Sequence, residues 1–230
     1  MTPGQFRLRV CYKKAGRLQW LSHLEVLRAI ERLIRRANLD VAVTEGFSPH
    51  MKIAFGPALP VWTAGMREYA DVWLTRYTEP DAVLARLIAS AAEDLMPFEA
   101  YYVSDKLPSL TAALTIGLYR VQVMGGVIDD RCVSAGLSKV LTRGELSVER
   151  KGKTKVYDLS RSVPKDVRVQ VDESGVVVDL PIRMGDQGSL RPEVLLKAAL
   201  AEESVEAAAV RTTRLDLLVE NDEGDWSRPV

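Results

Sequence analysis

The chain has 230 residues, 47% of them hydrophobic and 27% charged, with 31 basic and 31 acidic side chains. That length suits one large or two small domains, and the composition is that of a folded globular protein rather than a disordered or fibrous one. Apolar runs are broken by charge every few residues, which excludes a membrane-spanning helix, and two cysteines are too few for a disulfide framework.

The N-terminus enters a strand pattern at once, with no signal-peptide core, so the expected location is cytoplasmic. Cys11 and Cys132 lie in apolar stretches and are expected to be reduced and buried. The balanced charge hides uneven blocks. Residues 1–60 carry ten basic against four acidic side chains and residues 111–164 nine against five, while 61–110 and 165–230 are acidic. Two basic segments therefore bear on the choice of partner.

In chain order the pattern predicts a strand over Phe6–Lys14, a helix over about Ser22–Ala37 and a strand near Val41–Thr44. A short extra strand at Lys52–Phe55 follows, then strand Glu68–Thr75, helix Pro80–Ala92 and strand Pro97–Ser104. Pro108-Ser109 reads as a seam. Beyond it the order roughly recurs: strand Thr115–Met124, helix Asp129–Leu141, strand Leu146–Lys151, strands Val167–Val171 and Val176–Arg183, helix Arg191–Leu200 and strand Arg211–Val219. The expected fold is α+β, with tandem ferredoxin-like (βαββαβ) domains at 1–109 and 110–230 and antiparallel sheets. A single mixed sheet covered by helices is the alternative. Residues 221–230 are polar and expected to fray.

Within the first helix, Ser22 and Glu25 fit a capping box, with Leu21 and Val26 as its hydrophobic staple. Leu24, Leu27, Ile30, Leu33, Ile34 and Ala37 recur at helical spacing and should form the buried stripe. The other face carries Arg28, Arg32 and Arg36 on successive turns, with Arg35 beside them. Two readings stand side by side: a solvated face with weak Glu25–Arg28 and Glu31–Arg35 pairs, or a phosphate-binding edge suited to the planar arginine fork.

The stretch from Thr44 to Pro57 is the most informative in the chain. Glycines and prolines fix the path of a loop, whereas Glu45, Gly46, Phe47, Ser48, Pro49, His50 and Lys52 form a ligand-like run. His23 and His50 are the two histidines. They are candidates for a general acid and base, for metal ligands with Glu45 or Glu68, for hydrogen bonding to backbone, or for noncatalytic ligand contact. No HExxH spacing supports a metal, and dinucleotide, P-loop and nucleophile-elbow signatures are missing. A second basic run, Arg150, Lys151, Lys153 and Lys155 around Gly152, followed by Tyr157, reads as a hairpin tip. It is either a soluble edge or a surface facing nucleic acid. The RRM aromatic signature is missing, so base stacking on a sheet face is not expected.

Leu8-Arg9-Val10 through Lys14-x-Gly16, Leu21-Ser22-His23-Leu24-Glu25, Gly46-Phe47-Ser48-Pro49-His50-x-Lys52-Ile53 and Glu68-Tyr69-x-Asp71 resemble the radical-SAM-linked protein family. This is an uncharacterised bacterial group encoded beside, or fused to, a radical SAM protein. The resemblance is closest over the first 110 residues and looser beyond them, through Lys153-Thr154-Lys155 and Leu190-Arg191-Pro192-Glu193. Met51 stands where the family usually has Pro. The resemblance implies a radical SAM partner that carries the cluster, and no cofactor in this chain.

The resulting expectation is a noncatalytic accessory module that binds RNA for a radical SAM enzyme. Arg28, Arg32, Arg36, Lys52, Arg150, Lys151, Lys153 and Lys155 would contact phosphates, and the 44–57 loop would recognise a nucleotide or the partner. Alternatives are an RNA-processing enzyme with His23 and His50 as acid and base, and a protein–protein scaffold presenting Phe47, Ile53 and Phe55.

Overall fold

The computed structural model describes residues 4–124, 128–150, 152–173, 175–185, 189–207 and 209–229. The chain divides into two compact units, residues 1–114 with 228–230 and residues 115–227. Both are mixed α+β with antiparallel sheets.

The first unit runs β1 (Phe6–Lys14), a short 3-10 helix (Gly16–Trp20), α1 (His23–Arg36), β2 (Ile53–Phe55), β3 (Thr63–Leu74), α2 (Pro80–Ser90), β4 (Leu95–Tyr102) and α3 (Leu110–Ala113). Its strands lie in the order β4-β1-β3-β2, and every pairing is antiparallel. Val41–Thr44, expected as a strand, makes only isolated bridges, Val41 with Leu74 and Val43 with Met51.

Helix α1 forms because its N-terminus is capped and one face is apolar. The Ser22 backbone N–H and hydroxyl both donate to Glu25 Oε2, at 2.8 and 2.7 Å. These bonds hold the Glu25 carboxyl below its usual range. Val26, Ile30, Leu33, Ile34 and Ala37 are buried and pack with Leu8, Val10 and Leu87 in the core of this unit. Each of the Val, Ile and Leu side chains contributes up to about 1.5–3 kcal/mol. Leu24 is not part of that stripe: it is 65% exposed, because a helical repeat centred on Ile30 turns position 24 towards solvent.

The second unit runs β5 (Ile116–Met124), α4 (Asp130–Arg143), β6 (Glu145–Arg150), β7 (Lys153–Asp158), α5 (Leu159–Ser162), β8 (Arg168–Asp172), β9 (Gly175–Arg183), α6 (Pro192–Glu202), β10 (Ala209–Glu220) and β11 (Trp226–Ser227). The sheet order is β10-β5-β9-β8, again antiparallel, with β6 and β7 as a separate hairpin. Asp129 caps α4 by accepting from the Cys132 N–H at 2.7 Å, and Gly144, at φ 77°, ends it in the left-handed conformation. Helices α4 and α6 meet where Gly136 lies against the Ala199 carbonyl. Val133, Leu137, Leu195 and Leu196 close the core around that contact.

Two further expectations need correction. Residues 221–229 are not a frayed tail, and Val230 lies outside the described residues. Trp226 and Ser227 pair with Glu220 and Val219, and the Tyr101 hydroxyl donates to the Pro229 carbonyl at 2.6 Å. Cys11 is buried, but Cys132 in the first turn of α4 is only partly covered.

Candidate functional site

The ligand-like loop is closed at its base by backbone pairing. The Thr44 N–H donates to the His50 carbonyl at 2.8 Å, and the His50 N–H donates to Thr44 Oγ1 at 3.1 Å. Glu45, Gly46, Phe47, Ser48, Pro49 and His50 all stand in solvent. Gly46 adopts φ 123°, which favours glycine, and Phe47 at the tip has no cover. Lys52 turns away from this loop. Its Nζ donates to Gln5 Oε1 at 2.8 Å and lies 4.9 Å from the centre of the Trp73 ring.

His23 lies elsewhere in the unit, in the wall of a small cleft. Its ring meets Phe55 edge-on with centroids 6.1 Å apart. Tyr12, Lys14, Gly56, Pro57 and Glu68 line the same cleft. Lys14 is buried and donates to the Leu21 carbonyl at 3.1 Å. Glu68 is buried in the space beside Gly65, where a Cβ would come within 2.4 Å of its carboxylate. Thus the first unit gathers an ammonium, a carboxylate, an imidazole and a phenol, of which His23 and Glu68 are the candidates that residue type singles out. Lys14 belongs to the run Lys14-x-Gly16, the one sequence signal that could have found it. The cleft wall contains His23, whereas His50 lies in the exposed loop. Among the described residues, no cluster of three or more His, Cys, Asp or Glu side chains could hold a metal ion.

Arg28, Arg32, Arg35 and Arg36 are all exposed along the outward side of α1. Among the described residues none of the four is within ion-pair contact of a carboxylate, although the charge of Arg28 adds to the effect that lowers the Glu25 carboxyl. In the second unit the β6–β7 hairpin turns at Gly152, with φ 71°. Lys153 is exposed there, and Lys155 places its Nζ 4.6 Å from the centre of the Tyr157 ring. Lys151 and the Arg150 side chain lie outside the described residues.

Two further arrangements escape sequence reasoning. Arg7 and Arg9 are buried on β1, and both bind the fully buried Asp71 of β3. Trp20 and Trp62 meet at the surface, with ring centroids 3.9 Å apart and planes at 80°. The 3-10 helix that carries Trp20 is held at its start, where Asp94 accepts the Arg17 N–H at 3.0 Å and the Ala15 N–H reaches the Asp94 carbonyl at 2.9 Å. Trp62 is held by its own N–H, which donates to the Gln19 carbonyl at 3.0 Å, and it adopts φ 73°. A bulky aromatic in that region is strained by about 1–2 kcal/mol.

These features define an α+β protein whose first unit couples an arginine-bearing helix, an exposed aromatic pair and a small polar cleft. The chain belongs to the family described as uncharacterized protein conserved in bacteria (DUF2344), whose model matches residues 7–192. No curated protein matches it. Among solved structures, a chain of a Cbf5-Nop10-Gar1 complex aligns over 91% of this chain at 14% identity, with a TM-score of 0.49, and this chain spans about half of it, 48%. An unknown protein from Galdieria sulphuraria covers 93% of this chain at 10% identity and TM-score 0.27, with 97% of its own length aligned. A putative glycine cleavage system transcriptional repressor covers 91% at 9% identity and TM-score 0.24, with 98% of its length aligned. At these values the likenesses carry no argument about fold or function.

Proposed function

We propose that the chain is a noncatalytic accessory protein that binds RNA through the arginine side of α1 and works with a radical SAM enzyme. The observation that carries the RNA half is the set of exposed guanidiniums at Arg28, Arg32, Arg35 and Arg36, none held by a carboxylate within the described residues. An arginine engaged in an ion pair has a partner to lose before it can bind phosphate. Within the described residues these make no such contact, and each presents a planar fork of donors. Lys153 of the hairpin is a further exposed cation, whereas Lys52 is committed to Gln5 and Trp73.

The radical SAM half rests on the resemblance of the Ser22-His23, Gly46–Ile53 and Glu68–Asp71 runs to the radical-SAM-linked family. On the fold, the order β4-β1-β3-β2 in the first unit and β10-β5-β9-β8 in the second supports a tandem of ferredoxin-like units. The direct test measures binding of the intact chain to bulk cellular RNA across a salt series. Affinity that falls steeply with salt is expected, because each neutralised phosphate releases counterion. Failure to bind any RNA at low salt refutes the reading.

One observation favours a second reading, an RNA-processing enzyme: His23 shares its cleft with the buried Lys14 and Glu68. That reading predicts cleavage of bound RNA by the intact chain and loss of cleavage, with retained binding, in His23→Ala.

A further inference from the structure

We infer that Trp20 and Trp62 form a stacking site for an unpaired RNA base; this rests on the RNA-binding reading and adds a specificity for single strands that the arginines alone do not supply. A backbone at φ 73° suits glycine, yet the residue there is tryptophan, the bulkiest of all. Packing does not explain the choice, since Trp62 is 67% exposed and its partner Trp20 is 45% exposed. The chain thus holds a strained backbone in order to keep an indole in solvent, and local strain of this kind concentrates where a ligand is received.

The backbone segments that carry the two rings are also held. The Trp62 N–H is tied to Gln19, the residue before Trp20, and Asp94 anchors the 3-10 helix that carries Trp20. Their perpendicular arrangement sets the edge of one indole against the face of the other, a stable pairing that leaves outward-facing indole surface. A rigid, exposed aromatic pair accepts any base by its π-face, at little entropic cost. Its surroundings favour a nucleic acid as occupant. Arg17, one exposed cation, lies within the same 3-10 helix as Trp20.

The test compares a short single-stranded oligoadenylate with a duplex of similar length, using the intact chain and the Trp62→Gly variant. Glycine accepts φ 73° without strain, so the variant is expected to fold. Single-strand affinity should fall roughly 10-fold, with the salt slope and duplex binding unchanged. Indole fluorescence of the intact chain should be quenched by the oligomer, and Trp62→Phe, which keeps an aromatic face, should retain most of the affinity. If the intact chain binds single strands and Trp62→Gly binds them equally well, stacking is overturned while the arginine reading stands. Equal losses for duplex and single strand overturn it too, because duplex bases are already stacked. If the intact chain binds no RNA, both readings fall. Should Trp62→Gly not fold, the quenching decides, and its absence overturns the inference.

Discussion

Arg9 grips Asp71 with two nitrogens across the β1–β3 pairing, Nε to Oδ1 at 2.8 Å and Nη2 to Oδ2 at 3.1 Å. Arg7 binds the same carboxylate through Nε and Nη2, at 2.9 and 2.6 Å, and reaches on to the Leu107 and Pro108 carbonyls at 2.8 and 3.0 Å. One carboxylate therefore serves two buried cations, and the second cation ties the segment after β4 to the sheet. Asp71→Asn keeps the shape and removes the charge, leaving two desolvated guanidiniums. We expect a loss of about 3–5 kcal/mol in unfolding free energy by urea titration. A loss below about 1 kcal/mol would mean that water reaches the cluster.

Backbone approach at the crossing of α4 and α6 gives a second expectation. A Cβ at Gly136 would lie 2.1 Å from the Ala199 carbonyl oxygen, a backbone atom that cannot turn aside. At Gly65 the obstacle is the Glu68 side chain, which can move at the cost of its place in the cleft. Gly136→Ala should therefore destabilise the chain by roughly 2–3 kcal/mol and Gly65→Ala by less. Thermal unfolding of the two variants, compared directly, checks the order.

Burial pushes the Cys11 thiol up from the usual 9.0 to about 12, and the nearby Glu99 carboxylate adds to the effect. The unfolded chain then loses this proton first, so the contribution is complete below about pH 9 and is lost as pH rises towards about 12. Stability should fall over that window by at most about 1.4 kcal/mol per pH unit from this group. Cys11→Ala removes this component, and the difference between the two chains in urea midpoint at about pH 8 and about pH 10.5 isolates it. A difference that does not change with pH contradicts the assignment. The same burial predicts slow alkylation of native Cys11 at neutral pH.

Regular elements were legible because they rest on local periodicity. The strand over Phe6–Lys14 matches its expected bounds, and Ser22 with Glu25 marks the start of α1 as expected. What could not be read depends on partners distant in sequence. Arg7 and Arg9 look like the solvent side of a half-buried strand until Asp71, more than sixty residues away, turns them inward. Trp62 gives no sign of its positive φ, since the turn that imposes it, closed by the Thr63 N–H to the Pro60 carbonyl at 3.3 Å, ordinarily takes glycine at that position, and the further bond to Gln19 comes from far back in the chain. Likewise the polar C-terminal residues read as a tail, because their partners Glu220 and Tyr101 lie on strands that local periodicity does not connect to them. Lys14 and Glu68 were visible as residues, but nothing local tells a buried charge from an exposed one.

The most direct test of the account is the salt dependence of RNA binding in the intact chain and in the Arg28→Gln, Arg32→Gln, Arg36→Gln triple variant. The three side chains are exposed and make no ion pair within the described residues, so folding should be unaffected. With three phosphate contacts removed, the slope of log affinity against log salt should become shallower by about 2. An intact chain whose RNA affinity and slope are matched by the triple variant would contradict the role assigned to α1.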